Sequence, residues 1–255
     1  MAKNTDSNLY TVLFAIGMVI VVGTLLAFSA SYFNPTISLN RKLEKQQNIL
    51  YAMGVNASTL TNNEEDINEF VPTNKVVDEF KKYITEQYVI EGDEAKKDDK
   101  AYLIDLKKES EKAKDPSYTR KLPLFIGQKD GKKFYIVPVR GVGLWDAIWG
   151  YIALNDDLET IHGVFFDHKG ETPGLGANIR EAFFMNEFNG EHIYNEDDLF
   201  KGVVVAKGNA DPKNLDKKDN EVDAIAGATI TGNGVTAMIK KDVSMYLPYF
   251  NMLKK

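Results

Sequence analysis

A chain of 255 residues with a net charge of −6, three histidines and no cysteine excludes several kinds of protein at once. Without thiols there is no disulfide, no thiolate nucleophile, no cysteine-held iron–sulfur cluster and no Cys-type zinc site. The acidic balance argues against a nucleic-acid partner, and the length suits one membrane anchor with one or two compact domains.

Residues 1–9 form a short tail that carries Lys3 and Asp6. Tyr10 to Phe33 comes next as an apolar run without a charge. About 20 apolar residues cross a bilayer as a helix, so the run predicts a transmembrane helix over 10–33, with Tyr10, Tyr32 and Phe33 as interfacial anchors. A signal peptide has a shorter apolar core, and Ser29-Ala30-Ser31 only imitates a cleavage site, so the span reads as a retained anchor. Arg41, Lys42 and Lys45 after the span, against Lys3 and Asp6 before it, favour a cytoplasmic position for the remainder of the chain.

Pro35 is expected to interrupt the helix. Beyond it Leu43, Ile49, Leu50 and Met53 recur at helical spacing. A second pattern, Val76 to Tyr88, places Val77, Phe80, Ile84 and Tyr88 on one stripe. From Glu91 to Lys121 charge dominates, as in Glu91-Gly92-Asp93-Glu94, and the stretch reads as a solvated loop or insertion. Segment 34–121 is therefore expected to be helical and charged.

From Leu122 to the C-terminus the texture is strands and turns. Leu124-Phe125-Ile126 and Phe134-Tyr135-Ile136-Val137 flank Lys129-Asp130-Gly131-Lys132, a hairpin signal. Gly150–Leu154, Ile161–Phe166 and Gly202–Ala206 read as further strands, Arg180 to Phe188 as a short helix, and Val235 onward as an amphipathic helix. The fold class is α+β: a single N-terminal transmembrane helix, then a soluble domain with a largely antiparallel sheet and flanking helices.

Three stretches carry candidate chemistry. In Asp223-Ala224-Ile225-Ala226-Gly227-Ala228-Thr229-Ile230-Thr231, a small-residue run leaves room for a ligand beside two hydroxyls near a helix start. Unpaired amides and the positive dipole end favour a phosphate there. A plain small-residue turn capping a helix fits the spacing as well; the stretch is neither a Walker loop nor a nucleophile elbow. His168 to Gly176 is a loop with a Pro173-Gly174 turn, by itself an ordinary tight turn. Gly141 to Gly150 has glycines around Leu144 and Trp145, with Trp149 read as core and Trp145 as either core or the wall of a ligand site. His162, His168 and His192 form no ligand set, so no metal is expected. No catalytic pair of carboxylates stands out either.

Asp223 to Thr229 and Glu171-Thr172-Pro173-Gly174-Leu175-Gly176 together resemble two motifs of the covalent FMN-binding domains in sodium-pumping NADH:quinone reductases and related Rnf complexes. The first motif reads Asp, a short spacer, then Ser/Thr-Gly-Ala-Thr; the second reads Glu-Thr-Pro-Gly-Leu-Gly. The resemblance implies FMN joined through its phosphate to Thr229 by a dedicated flavin transferase, with Asp223, Gly227 and Ala228 in the attachment motif. Ala226 stands where the family has Ser or Thr, which removes a hydroxyl but leaves the acceptor. The resemblance also implies Glu171, Thr172 and Leu175 at the ring, with Gly174 giving room, and walls from Leu144 and Trp145. By its position Lys207 could place a cation near the phosphate or the ring, although a solvated surface lysine is the better reading, and Thr231 would cap the helix or donate to the phosphate.

The implied function is a flavoprotein subunit of an NADH:ubiquinone reductase that transports Na+, relaying electrons between partner subunits. One of those partners is a second FMN-carrying membrane subunit. The implied location is the inner membrane with the soluble domain in the periplasm, against the charge count, because long domains translocate regardless of nearby charge. The long segment before the flavin part suits the reductase better than the G subunit of an Rnf complex. A reading from another class is a membrane-tethered binding or scaffold domain without a redox role, in which Thr229 is an unmodified helix-start residue.

Overall fold

The computed structural model describes residues 7–61, 68–92, 94–208, 211 and 214–254. Lys3 and Asp6, on which the flank count rests, and Asp93 lie outside them. The chain divides into two compact units between Glu44 and Lys45. Helix α1 (Asn8–Ala52) supplies the described part of the first unit, and its last residues, Lys45–Ala52, belong to the second. Among the described residues α1 alone is long and apolar enough to cross a membrane, and its most apolar stretch buries nothing within the protein. Pro35 lies inside α1 instead of ending it. Proline removes one backbone hydrogen bond, yet α1 continues through Pro35 to Ala52, so that loss does not end the helix.

The second unit is built on a six-stranded sheet in the order β2-β1-β3-β4-β5-β6, antiparallel at every pairing. Its strands are β1 (Ile84–Glu91), β2 (Glu94–Lys97), β3 (Lys121–Lys129), β4 (Lys132–Val142), β5 (Ala147–Leu154) and β6 (Ile161–His168). The β3–β4 turn is the expected two-residue hairpin. Asp130 and Gly131 have φ of 51° and 75° between the paired Lys129 and Lys132, the type I′ geometry that suits the twist of the flanking strands.

The helical pattern drawn from Val76 to Tyr88 ends early: α3 is Val76–Tyr83, and Ile84 opens β1. Ile84 and Tyr88 are four apart, a spacing that satisfies the helical period and the strand period of two alike. The β-branched and aromatic residues among 84–90 decide for the strand. The charged stretch after Glu91 is not all loop. It forms β2 at the sheet edge, where charges discourage further pairing. It then forms α4 (Leu106–Lys112), whose first turn is capped by Asp105 accepting from the amides of Lys107 and Lys108.

Helices α2 (Ala57–Thr61) and α5 (Ala182–Glu187) fill the connections. Phe166 of β6 packs with Phe184 and Phe188 at ring separations of 6.3 and 5.1 Å. The expected helix over Arg180–Phe188 is divided between a 3-10 turn, Gly176–Arg180, and α5. The expected strand Gly202–Ala206 narrows to β7 (Val204–Val205), paired in parallel with β8 (Glu221–Val222). Helices α6 (Thr229–Ser244) and α7 (Leu247–Leu253) close the unit. Tyr246 between them is fully buried, and its hydroxyl donates to the carbonyl of Pro123 at 2.9 Å.

Helix α6 starts at Thr229, six residues before the expected Val235. Gly232 and Gly234 read as breakers by propensity, yet both are needed inside the helix. A Cβ on Gly234 would overlap the carbonyl oxygen of Val142, and one on Gly232 would stand 2.9 Å from Val205. Close packing of α6 on β4 and β7 overrides the propensity.

Candidate functional site

Three loops meet beside the start of α6: the β4–β5 turn at 143–146, the loop after β6 at 169–176, and the stretch 223–231. Glu171 joins them. Its side chain is buried, and its carboxylate accepts the amide of Trp145 at 2.9 Å and the hydroxyl of Thr231 at 2.6 Å. Burial pushes the Glu171 carboxyl up, but bonds from Thr231 and from the amides of Trp145, Leu144 and Asp146 outweigh it. The carboxyl is held below the usual range. The loop's own entry is fixed by the amide of Glu171 donating to His168 Nδ1 at 3.2 Å. Space for the carboxylate comes from missing side chains, since a Cβ at Gly143 would lie 2.6 Å from Glu171 Oε1 and one at Gly176 would overlap Glu171.

A second set of contacts stands nearer the surface. Trp145 Nε1 donates to Thr172 Oγ1 at 3.2 Å. Leu175 leans on Gly227, where a Cβ would stand 2.8 Å from Leu175 Cδ2. Gly227 has φ of +73°, so glycine is required there twice over. Gly174, at φ of +76° with open space around its missing Cβ, completes the turn. Thr229 is exposed as the first residue of α6, next to exposed Ala226 and Gly227. Leu144, Trp145, Leu175 and Ile230 are 47%, 68%, 41% and 56% exposed.

Of the residues singled out in the sequence, Leu144, Trp145, Glu171, Thr172, Leu175, Gly227 and Thr231 are thus tied to one another. Thr231 is not a cap. It lies inside α6 with 1% exposure, and the N-cap is Ala228, which makes no side-chain cap bond. The helix begins too early for Thr231 to cap it, and the Thr231 hydroxyl turns inward to Glu171. Asp223 is half-buried, and burial together with the charge of Asp211 pushes its carboxyl up. Lys207 is exposed and lines a different recess with Val204, Asn233, Thr236 and Lys240. Trp149 is half-buried on β5, opposite Arg140 and Asp167. The bracing pair Glu171–Thr231 has no signal in the sequence, because a carboxylate and a hydroxyl 60 residues apart leave no local pattern.

The arrangement suits a phosphate-bearing aromatic ligand. An exposed threonine sits in the first turn of a 16-residue helix, where backbone amides lack intrahelical partners and the dipole favours negative charge. Residues without bulk flank it, and exposed apolar side chains stand beside it.

Comparison with known proteins gives the same direction. The family described as FMN-binding domain matches residues 143–244, from the first glycine of the β4–β5 turn to the last residue of α6. The C subunit of the Na(+)-translocating NADH-quinone reductase of Pseudomonas aeruginosa is 32% identical, over 92% of this chain and 91% of that one. The chain belongs to the C-subunit family of these reductases. The corresponding subunit of Haemophilus ducreyi is 29% identical over 94% of this chain and 91% of its own. Among solved structures, the corresponding subunit from Parabacteroides distasonis superposes with a TM-score of 0.68 at 31% identity, covering 84% of this chain and 94% of that one. The Shewanella oneidensis NqrC structure gives 0.66 at 26% identity, covering 84% and 99%.

Proposed function

We propose that the chain is the FMN-carrying electron-relay subunit of a Na(+)-translocating NADH-quinone reductase, anchored in the inner membrane by α1, with FMN joined through its phosphate to Oγ1 of Thr229. The observation that carries the attachment is exposed Thr229 at the start of α6, beside three loops braced on Glu171. FMN bound there supplies one- and two-electron chemistry, and a phosphate link leaves the ring electronically free.

The roles of this chain's residues accord with their positions. Thr229 presents the acceptor oxygen, and the first-turn amides of α6 stabilise the phosphate charge. Ala226, Gly227 and Ala228 leave the approach open. Leu144, Trp145 and Leu175 supply apolar walls that exclude water, and Thr172 orients Trp145 through its indole N–H. Gly174 keeps the Leu175 turn close to the surface. Glu171 and Thr231 act from beneath, holding the loops without facing solvent. Asp223 presents an acidic group to the flavin transferase, and Lys207 adds positive charge along the flank of α6.

The soluble unit faces the periplasm, and the partners are the other subunits of the complex, among them a second FMN-carrying membrane subunit. The complex as a whole turns over NADH and quinone; this chain contributes a relay.

Coexpression with the flavin transferase, then mass spectrometry of the peptide from Asp223 to Lys240, tests the reading. The mass of FMN less one water is expected on Thr229 and is absent in Thr229→Val. Mapping to Thr231, or no added mass in the native chain, refutes it.

A further inference from the structure

We propose that a recess of about 210 Å³ between α4, β4 and α6 binds a phosphate-type oxyanion. It is lined by Lys107, Lys114, Arg120, Arg140 and Lys241, with Glu111 the one acidic residue on its wall. Lys241 stands 12 residues beyond Thr229, roughly 18 Å along α6 at the helical rise; the recess reaches Gly141 and Val142 next to the β4–β5 turn, but none of Leu144, Trp145, Glu171, Leu175 or Thr229 lines it, and the proposal does not rest on the flavin reading.

The recess is built and not merely basic. Arg120 has a side chain 12% exposed; its Nη1 lies 3.4 Å from Asp242 Oδ1 and 3.3 Å from Met245 Sδ. Its Nε is buried without a hydrogen-bond partner among the described residues. Nε is closed to solvent and does not itself bond a ligand in the recess, but a buried guanidinium short of acceptors is costly, and an anion beside it offsets that cost. Asp242 cannot serve it further. That carboxylate is 1% exposed, and its other oxygen already accepts the amide of Arg140 at 2.6 Å.

Lys107 pairs with Glu111 at 3.8 Å and Arg120 with Asp242 at 3.4 Å, which leaves Lys114, Arg140 and Lys241 without a salt bridge among the described residues. A single carboxylate ligand would bring one charge on a planar group. A phosphate brings up to two charges on tetrahedral oxygens, which match guanidinium and ammonium donors arriving from three elements. The ligand class is a free phosphate or phosphate monoester, or the headgroup of an anionic phospholipid.

Calorimetric titration of the full chain in neutral detergent, at fixed ionic strength, tests the proposal with inorganic phosphate against acetate and chloride. One saturable site is expected at a Kd of about 1 mM or tighter, with acetate at least about tenfold weaker. In the double variant Lys114→Ala with Lys241→Ala, both exposed side chains, phosphate should weaken by at least about tenfold with the fold unchanged by circular dichroism. Glycerol phosphate and short-chain phosphatidic acid then compete with phosphate in the same micelles. Stronger competition by the lipid assigns a headgroup, and stronger competition by glycerol phosphate assigns a soluble ligand. The proposal is overturned by the absence of saturable binding, by acetate or chloride binding equally, or by a folded double variant that binds like the native chain.

Discussion

Two buried glutamates answer acid in opposite senses. Glu171 sits below its ordinary pKa because its hydrogen bonds outweigh its burial. Its contribution to stability is therefore present above the unfolded value and is lost as pH falls through the folded one. Glu171→Ala is expected to cost roughly 2–4 kcal/mol in urea titration at pH 7, since the loop amides and Thr231 lose a charged acceptor. Glu171→Gln should show a shallower loss of stability on acidification through the carboxylate range than the native chain. Glu191 is the reverse case. It is 0% exposed, and burial drives its pKa up to about 7, only partly offset by Lys217, whose Nζ lies 3.2 Å away, while Asp219 adds to the rise. A raised carboxyl favours the folded state below the unfolded value of 4.5, and that advantage fades as pH rises toward about 7. The loss amounts to at most about 3 kcal/mol. Urea midpoints at pH 5 and pH 8 should differ less in Glu191→Gln than in the native chain; an equal pH dependence in the two proteins would contradict this.

At the scale of elements, the contact of α6 with β4 depends on the absence of a side chain. Gly234→Ala places a methyl against the Val142 carbonyl and is expected to destabilise by roughly 1–3 kcal/mol. The shift should show as a lower urea midpoint with an unchanged slope. The same contact marks where sequence reading runs out. Asp130-Gly131 announces its hairpin because a type I′ turn needs two positive φ values in adjacent residues, a wholly local demand. Ile84 and Tyr88 are ambiguous because a spacing of four suits both periods, and only pairing with β3 resolves it. Gly232 and Gly234 mislead because what they accommodate, Val205 and Val142, is distant in sequence. The candidate site divides the same way. Thr229, Gly227 and the Glu171–Gly176 loop stand in short motifs, whereas the Glu171–Thr231 bond and the convergence of Lys107, Arg120, Arg140 and Lys241 exist only in the fold.

For the whole molecule, the boundary at Lys45 has a practical meaning. Residues 45–255 form one compact unit and should unfold cooperatively in water without detergent. A fragment starting at Ala57 removes Ile49, Leu50, Ala52 and Met53, all 0% exposed. It should lose more than about 5 kcal/mol, judged from single core truncations. Thermal unfolding of the two fragments, followed by circular dichroism, measures the difference. Topology is tested in the full chain: a reporter fused after Lys255 should be active on the outer side of the inner membrane, and a signal from a cytoplasm-only reporter contradicts it.

The Glu171 brace spans a long stretch of chain. It gathers an amide at Trp145 and a hydroxyl at Thr231, two groups that only the paired sheet and the docked α6 bring to one carboxylate. The site is therefore complete only when the sheet is paired and α6 has docked. If Thr229 is modified as proposed, the modifying enzyme would meet a folded shape as well as a tetrapeptide, and an unfolded chain bearing the same motif is expected to be a poor substrate.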